Sequence, residues 1–203
     1  MRWERFKYQR PARKQARHNT RMVFLLKALL ATATVLILLY DGWISFHRKE
    51  DLTLTGHAKV TDGDTLSVGG EVVRLSGIDA PEKDQRCKGA NGRLYLCGED
   101  ASWALARLVR YSRVTCEQQG ARDRYGRVVA RCSVMTLLTG RRIDLSAALV
   151  GSGHAVVYRR FAGLHLAVLV HLESVARLNR KGLWQGKFEM PEDWRRKNKK
   201  GTG

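Results

Sequence analysis

Acid is scarce in this chain. Nineteen Asp and Glu face 37 Lys and Arg among 203 residues, a formal charge of +18. A balance of that sign concentrates polyanions by long-range attraction, although on charge alone a solvated basic surface explains it equally well. There is no internal repeat, which excludes a solenoid or a propeller. The four cysteines, Cys87, Cys97, Cys116 and Cys132, contain no Cys-x-x-Cys, so their spacing argues against a zinc site. His165 and His171 stand six apart, which is not the spacing of two ligands on one helix face. No acidic, lysine or arginine residue falls between Phe161 and Leu172. The terminal helix expected over 164–179 is therefore less amphipathic than usual, and is read either as more fully buried or as a contact for a protein or a membrane.

One long apolar run is present. Met22–Tyr40 has 19 residues and a single charge, Lys27. At ~1.5 Å per residue it nearly matches a ~30 Å hydrocarbon core. Lys27 lies close enough to the start to snorkel back to the flank. Eight basic residues and one acid, Glu4, precede the run, and the positive-inside rule keeps such a segment cytoplasmic. No small-x-small cleavage site follows Tyr40, so a single-pass signal anchor is favoured over a signal peptide; cleavage would give a secreted form. The expected organisation is a disordered basic arm over 1–21, the anchor over 22–40 and a polar linker over 41–52. A catalytic domain over 53–185 then lies outside the cell membrane, with a charged tail over 186–203 that lacks a core face.

From Thr53 the pattern changes to short β-rich runs at 54–60, 65–68 and 71–75, separated by Asp/Gly and Gly-Gly turns. Lys83–Gly98 reads as a loop. Residues 99–111 carry a helical apolar stripe, 113–117 and 128–135 read as strands, and Asp144 caps a short helix to about Val150. Five strands, with helices inserted after the third and after the fifth, predict an α+β domain. A five-stranded OB-like barrel with three helices fits the count.

Three stretches carry the chemistry: DGDT at Asp62–Thr65, RLSGIDAPE at Arg74–Glu82 and DRYGR at Asp123–Arg127. Asp64 and Asp79, with the Ala80 carbonyl, offer an oxygen-only partial cage for a hard cation such as Ca²⁺. Glu82 lies just beyond the corner at Pro81 and is a candidate general base. Arg74, on an apolar strand, and Arg127, after a glycine turn, are candidate phosphate clamps. Singly, each has a plain alternative: a hairpin turn, a loop acid, a surface ion pair. Together and in this order they are far more specific.

The three motifs resemble the staphylococcal nuclease (thermonuclease) family over about residues 54–185. The resemblance implies Ca²⁺ held by Asp64, Asp79 and the Ala80 carbonyl, with Glu82 as base and Arg74 and Arg127 on the phosphate. Ala80 stands where the type member has threonine, so a hydroxyl contribution is lost there. Arg124, Tyr125 and Tyr158 are the substrate-binding candidates, with Phe161 an alternative to Tyr158. The implied activity is Ca²⁺-dependent hydrolysis of DNA and RNA to 3′-phosphate products. A non-catalytic nucleic-acid-binding module and a membrane-anchored scaffold are the other classes. The even cysteine count in an exported domain suggests disulfides rather than four reduced thiols. Cys87–Cys97 brackets a Gly-rich loop and Cys116–Cys132 joins two β-like runs; this is the pairing expected among the three possible.

Overall fold

The computed structural model describes residues 14–47, 52–136, 139–159 and 165–200. Residues 1–13 of the basic arm, 48–51 of the linker and the candidate Phe161 lie outside the described residues. The chain divides into two units, residues 1–50 and 51–203. The first contains α1 (Lys14–His47), a continuous helix of 34 residues. Within it Met22–Tyr40 is long and apolar enough to cross a membrane, and none of it is buried. The helix outruns the apolar segment at both ends, taking in residues 14–21 of the arm read as disordered and 41–47 of the expected linker. No proline interrupts it, and its Leu- and Ala-rich centre favours helix.

The second unit begins with β1 (Thr53–Gly56), β2 (Ala58–Asp62), β3 (Thr65–Val68), β4 (Glu71–Leu75) and β5 (Ile78–Asp79). The small strands β6 (Arg86–Lys88) and β7 (Leu94–Leu96) precede α2 (Cys97–Val109). Then come β8 (Val114–Gln118), β9 (Val128–Met135), β10 (Arg142–Asp144), α3 (Leu145–Gly151) and β11 (Val156–Val157). The chain ends with α4 (Leu166–Leu178), a 3-10 turn at Gly182–Gln185 and α5 (Pro191–Lys200). The class is α+β, as expected. The closed five-stranded barrel is corrected: the main sheet has seven strands in an open path β1-β8-β9-β4-β3-β2, with β10 beside β9. Its two ends, β1 and β2, are halves of one extended run broken at His57. One half pairs with β8 and the other with β3, so the backbone, not a hydrogen-bond ladder, joins the two edges. Alternating polarity shows that a run is extended but not where it bends.

Three further expectations change. The loop at Lys83–Gly98 contains the β6–β7 hairpin, with Cys87 opposite Tyr95. On α4 only Leu169, Glu173 and Ala176 are buried, at i, i+4 and i+7, so the helix presents one inward stripe rather than being buried all round. The charged tail is not featureless: α5 starts at a buried Pro191, with Glu192 and Asp193 in its first turn. Proline at the first helical position and acids in the first turn both favour a helix start.

The Gly-Gly turn is as read. Val68 pairs with Glu71, and Gly69 and Gly70 both take positive φ (60° and 86°), the conformation of a two-residue type I′ hairpin. Asp144 caps α3 by accepting from the Ala147 amide at 2.9 Å. Leu66, Leu75, Val114 and Val128 of the sheet pack with Leu105 of α2, Leu149 of α3 and Leu169 of α4 in one core. Disulfides join Cys87 to Cys97, at the foot of α2, and Cys116 to Cys132, which face each other across β8 and β9.

Candidate active site

Strand register assembles the site. Thr65 on β3 lies opposite Arg74 on β4, and Arg74 lies beside Val129 on β9, two residues past Arg127. β5 continues from β4 through Gly77, whose φ of 79° lets the chain turn before Asp79. The motifs that are separate in sequence thus meet at one end of three adjacent strands.

Arg74 is the central side chain. Its Nη1 lies 2.8 Å from Asp64 Oδ2 and its Nη2 donates to Asp79 Oδ1 at 2.8 Å. Both carboxylates are buried, 4% and 2% exposed. Asp64 is held further by the Thr65 hydroxyl, which donates at 2.8 Å, and by the Ala80 amide at 3.4 Å. Burial pushes the Asp64 carboxyl above its usual range, against the opposing pull of Arg74 and Thr65. Asp62 is raised to about 6, chiefly by burial and further by the neighbouring charges of Asp64 and Glu82. Two neighbouring carboxyls, Asp62 and Asp64, held above their ordinary pKa are groups whose ionised form a cation would stabilise.

The network extends in both directions. Arg127 donates through Nε to Asp123 Oδ2 at 2.7 Å and through Nη1 to the Thr65 hydroxyl at 3.4 Å. Asp123 also accepts from the Tyr125 and Arg127 amides and so closes the DRYGR turn. Burial works against the Asp123 charge, but these bonds outweigh it and lower the pKa. Tyr125 is 61% exposed, with the Arg124 and Arg127 guanidiniums 4.8 and 5.3 Å from its ring centre. An exposed ring flanked by cations suits stacking against a base beside a phosphate. Tyr158 follows β11, where Val156 pairs with Asp79, and its amide donates to the Gly77 carbonyl at 2.9 Å. Asp64, Arg74, Asp79 and Arg127 are thus linked in one network through Thr65, with Tyr125 at its exposed rim beside Arg127 and Tyr158 tied to the same strand end through its backbone.

Glu82 is partly exposed, and its amide is held by Gln85 Oε1 at 3.2 Å. Its carboxylate partner is a residue the sequence reading missed. Arg195, from α5, donates to Glu82 Oε1 at 2.8 Å and to both oxygens of Asp79, at 3.0 and 2.8 Å. The signal that could have found it is the proline-acid start of α5 followed by Trp194-Arg195 in a tail read only as charged. A second missed residue is Gly98. A Cβ there would overlap the Glu82 carbonyl, so only glycine lets α2 pack this closely on the loop bearing Glu82.

The donor set is oxygen-only, as a hard cation requires. Among the described residues no three His, Cys, Asp or Glu side chains converge into a cage. Two buried carboxylates side by side nonetheless suit a cation that completes its shell with other oxygens, water and substrate among them.

Paired buried aspartates, a glutamate and arginines at one rim of a mixed sheet are the residue types that a phosphodiester-cleaving site needs. Comparison with known proteins agrees. The Staphylococcal nuclease homologue family matches residues 72–186, and the chain belongs to that family. The matched region includes Arg74, Asp79, Glu82 and Arg127 and begins after Asp64. The chain is 30% identical over 181 residues to the micrococcal nuclease of Shigella flexneri, covering 85% of this chain and 94% of that protein. It is 36% identical over 138 residues to the succinoglycan biosynthesis protein ExoI of Rhizobium meliloti, covering 67% of each. Protein ParB of Escherichia coli is 34% identical over 148 residues, covering 69% of this chain and 77% of that protein. As a member of this family the chain is a nuclease by class.

Proposed function

We propose that the protein is a Ca²⁺-dependent endonuclease that hydrolyses DNA and RNA to 3′-phosphate products, held outside the cell membrane by residues 22–40. The observation that carries the reading is Arg74, whose guanidinium spans the two buried aspartates beside Glu82. Asp64, Asp79 and the Ala80 carbonyl would hold the cation. When bound, Ca²⁺ supplies Lewis-acid polarisation of a phosphate oxygen and charge neutralisation.

The chain's own residues do the rest. Glu82 accepts a proton from water, and the water oxygen attacks phosphorus in line. The bond to the 5′ oxygen breaks, that oxygen takes a proton from solvent water and leaves as a hydroxyl, and the proton held by Glu82 returns to solvent. Arg74 and Arg127 present planar donor pairs to the phosphate oxygens and stabilise the charge that builds there. Their carboxylate partners, Asp64, Asp79 and Asp123, orient the guanidiniums beforehand, so little reorganisation is needed as charge develops. Tyr125, Arg124 and Tyr158 supply stacking and backbone contacts that do not depend on base identity.

The test incubates the full-length protein with plasmid, single-stranded DNA and RNA, in Ca²⁺ and in excess chelator, followed by end-group analysis. Cleavage only with Ca²⁺, leaving 3′-phosphates, is expected; undiminished cleavage in chelator refutes the metal assignment. For placement, the full-length protein should stay with membranes through a carbonate wash. Protease added to spheroplasts should remove its nuclease domain. Protection of that domain refutes the orientation, and a soluble species starting near residue 41 refutes the anchor.

A further inference from the structure

We propose that Arg195 sets the cation affinity of the active site, because its guanidinium and a divalent cation compete for the same oxygens of Asp79. The inference rests on the reading of Asp64 and Asp79 as cation ligands. A carboxylate has about four lone-pair positions. On Asp79, Oδ1 already accepts from Arg74 and from Arg195, and Oδ2 accepts from Arg195 again. The Asp79 side chain is 2% exposed, so it cannot turn to offer a fresh face. Arg195 also takes Glu82 Oε1. A cation at Asp79 must therefore either share a carboxylate with two guanidiniums, against like-charge repulsion, or displace one of them.

Arg195 is the one that can leave. Arg74 is fixed within the sheet, with Thr65 across one ladder and Val129 across the other. Arg195 rides on α5, which lies outside the sheet. Among the described residues, the ion pairs of α5 that reach beyond the tail all run through Arg195; Arg196 pairs with Asp193 and Lys197 with Glu189. The segment before α5 is tied independently. Lys187 bridges to Lys88 through backbone bonds, and Gln85 Nε2 donates to the Glu189 carbonyl at 2.8 Å. Withdrawal of Arg195 thus breaks three side-chain bonds and leaves the domain core closed. A helix delivering an arginine onto two acids of the site is an internal counter-ion that a cation must outbid electrostatically.

The test is equilibrium Ca²⁺ binding by calorimetry on the full-length protein in detergent, without substrate. The proteins compared are wild type, Arg195→Ala, Arg195→Lys and the control Arg196→Ala. Removing one like charge at contact distance should tighten binding by about tenfold or more in Arg195→Ala. Arg196→Ala should match wild type. Arg195→Lys, with its charge but without the fork, should fall between. Amide hydrogen exchange on the wild-type protein gives an independent readout should Arg195→Ala fail to fold: saturating Ca²⁺ should lower the protection of α5. Unchanged or weaker binding in a folded Arg195→Ala, or increased protection of α5 by Ca²⁺, overturns the role of Arg195 while leaving the cation site standing. If no folded form binds Ca²⁺, the cation reading itself falls and this inference with it.

Discussion

Gly98→Ala is the substitution whose consequence can be followed furthest through the structure. Gly98 lies in the first turn of α2, against the loop that carries Glu82. A Cβ added there would overlap the Glu82 carbonyl group and lie 2.8 Å from Lys83 Cα. Carbon pairs prefer ~3.5–4.0 Å, so the Lys83 contact alone demands about 0.7 Å of movement, and the carbonyl overlap demands more. The helix cannot supply it, because Ala101, Leu105 and Val109 are seated in the core. The loop must move instead. About 1 Å of displacement takes Glu82 out of hydrogen-bond range of Arg195, now 2.8 Å away, and out of line with a water between itself and the phosphate. Misplacement on that scale commonly costs ~10²-fold in rate. The prediction is therefore a roughly hundredfold fall in kcat on a small phosphodiester, with KM little changed and the far-UV spectrum intact. The adjacent Cys87–Cys97 bridge should keep the loop folded while it shifts. A folded Gly98→Ala within threefold of wild-type kcat would show either that the loop yields without moving Glu82 or that Glu82 is not the base.

Glu82→Gln, Arg74→Ala and Arg127→Ala should each lower kcat by at least ~10²–10³-fold, measured by single-turnover cleavage; a variant near wild type would remove that residue from the chemistry. Replacing Cys116 and Cys132 together by alanine should lower denaturant stability by roughly 2–4 kcal/mol, with secondary structure retained. An unchanged midpoint would show that the bridge adds nothing to the paired register of β8 and β9. His154 lies beside the Ser152 hydroxyl, and its pKa is lowered from 6.5 by burial. Below pH 6.5 the unfolded chain binds this proton more readily than the folded one, so stability should fall with acid down to the folded-state pKa. His154→Asn should flatten that part of the stability–pH curve, and an unaltered slope by thermal melts would exclude His154 as its source.

How much of this could be read in advance differs from element to element. DGDT, RLSGIDAPE and DRYGR stand out as candidate motifs by residue type and local spacing, because each is a turn or a strand end whose geometry is fixed within a few residues. The Gly69–Gly70 hairpin and the Asp144 cap are legible for the same reason: the physics is local. The length and polarity of Met22–Tyr40 likewise set a helix able to span a membrane, whatever surrounds it. The path of the sheet is not local. Only the paired register shows that 53–62 bends at His57 and serves both edges, and that β4 and β9 run parallel, with Arg74 opposite Val129, two residues past Arg127. Arg195 is the clearest case. Its sequence neighbours mark a basic helix, and more than a hundred residues separate it from Asp79 and Glu82. Its partnership is decided only where the chain's end folds back over its middle, because ion pairs depend on distance in space and not on separation along the chain.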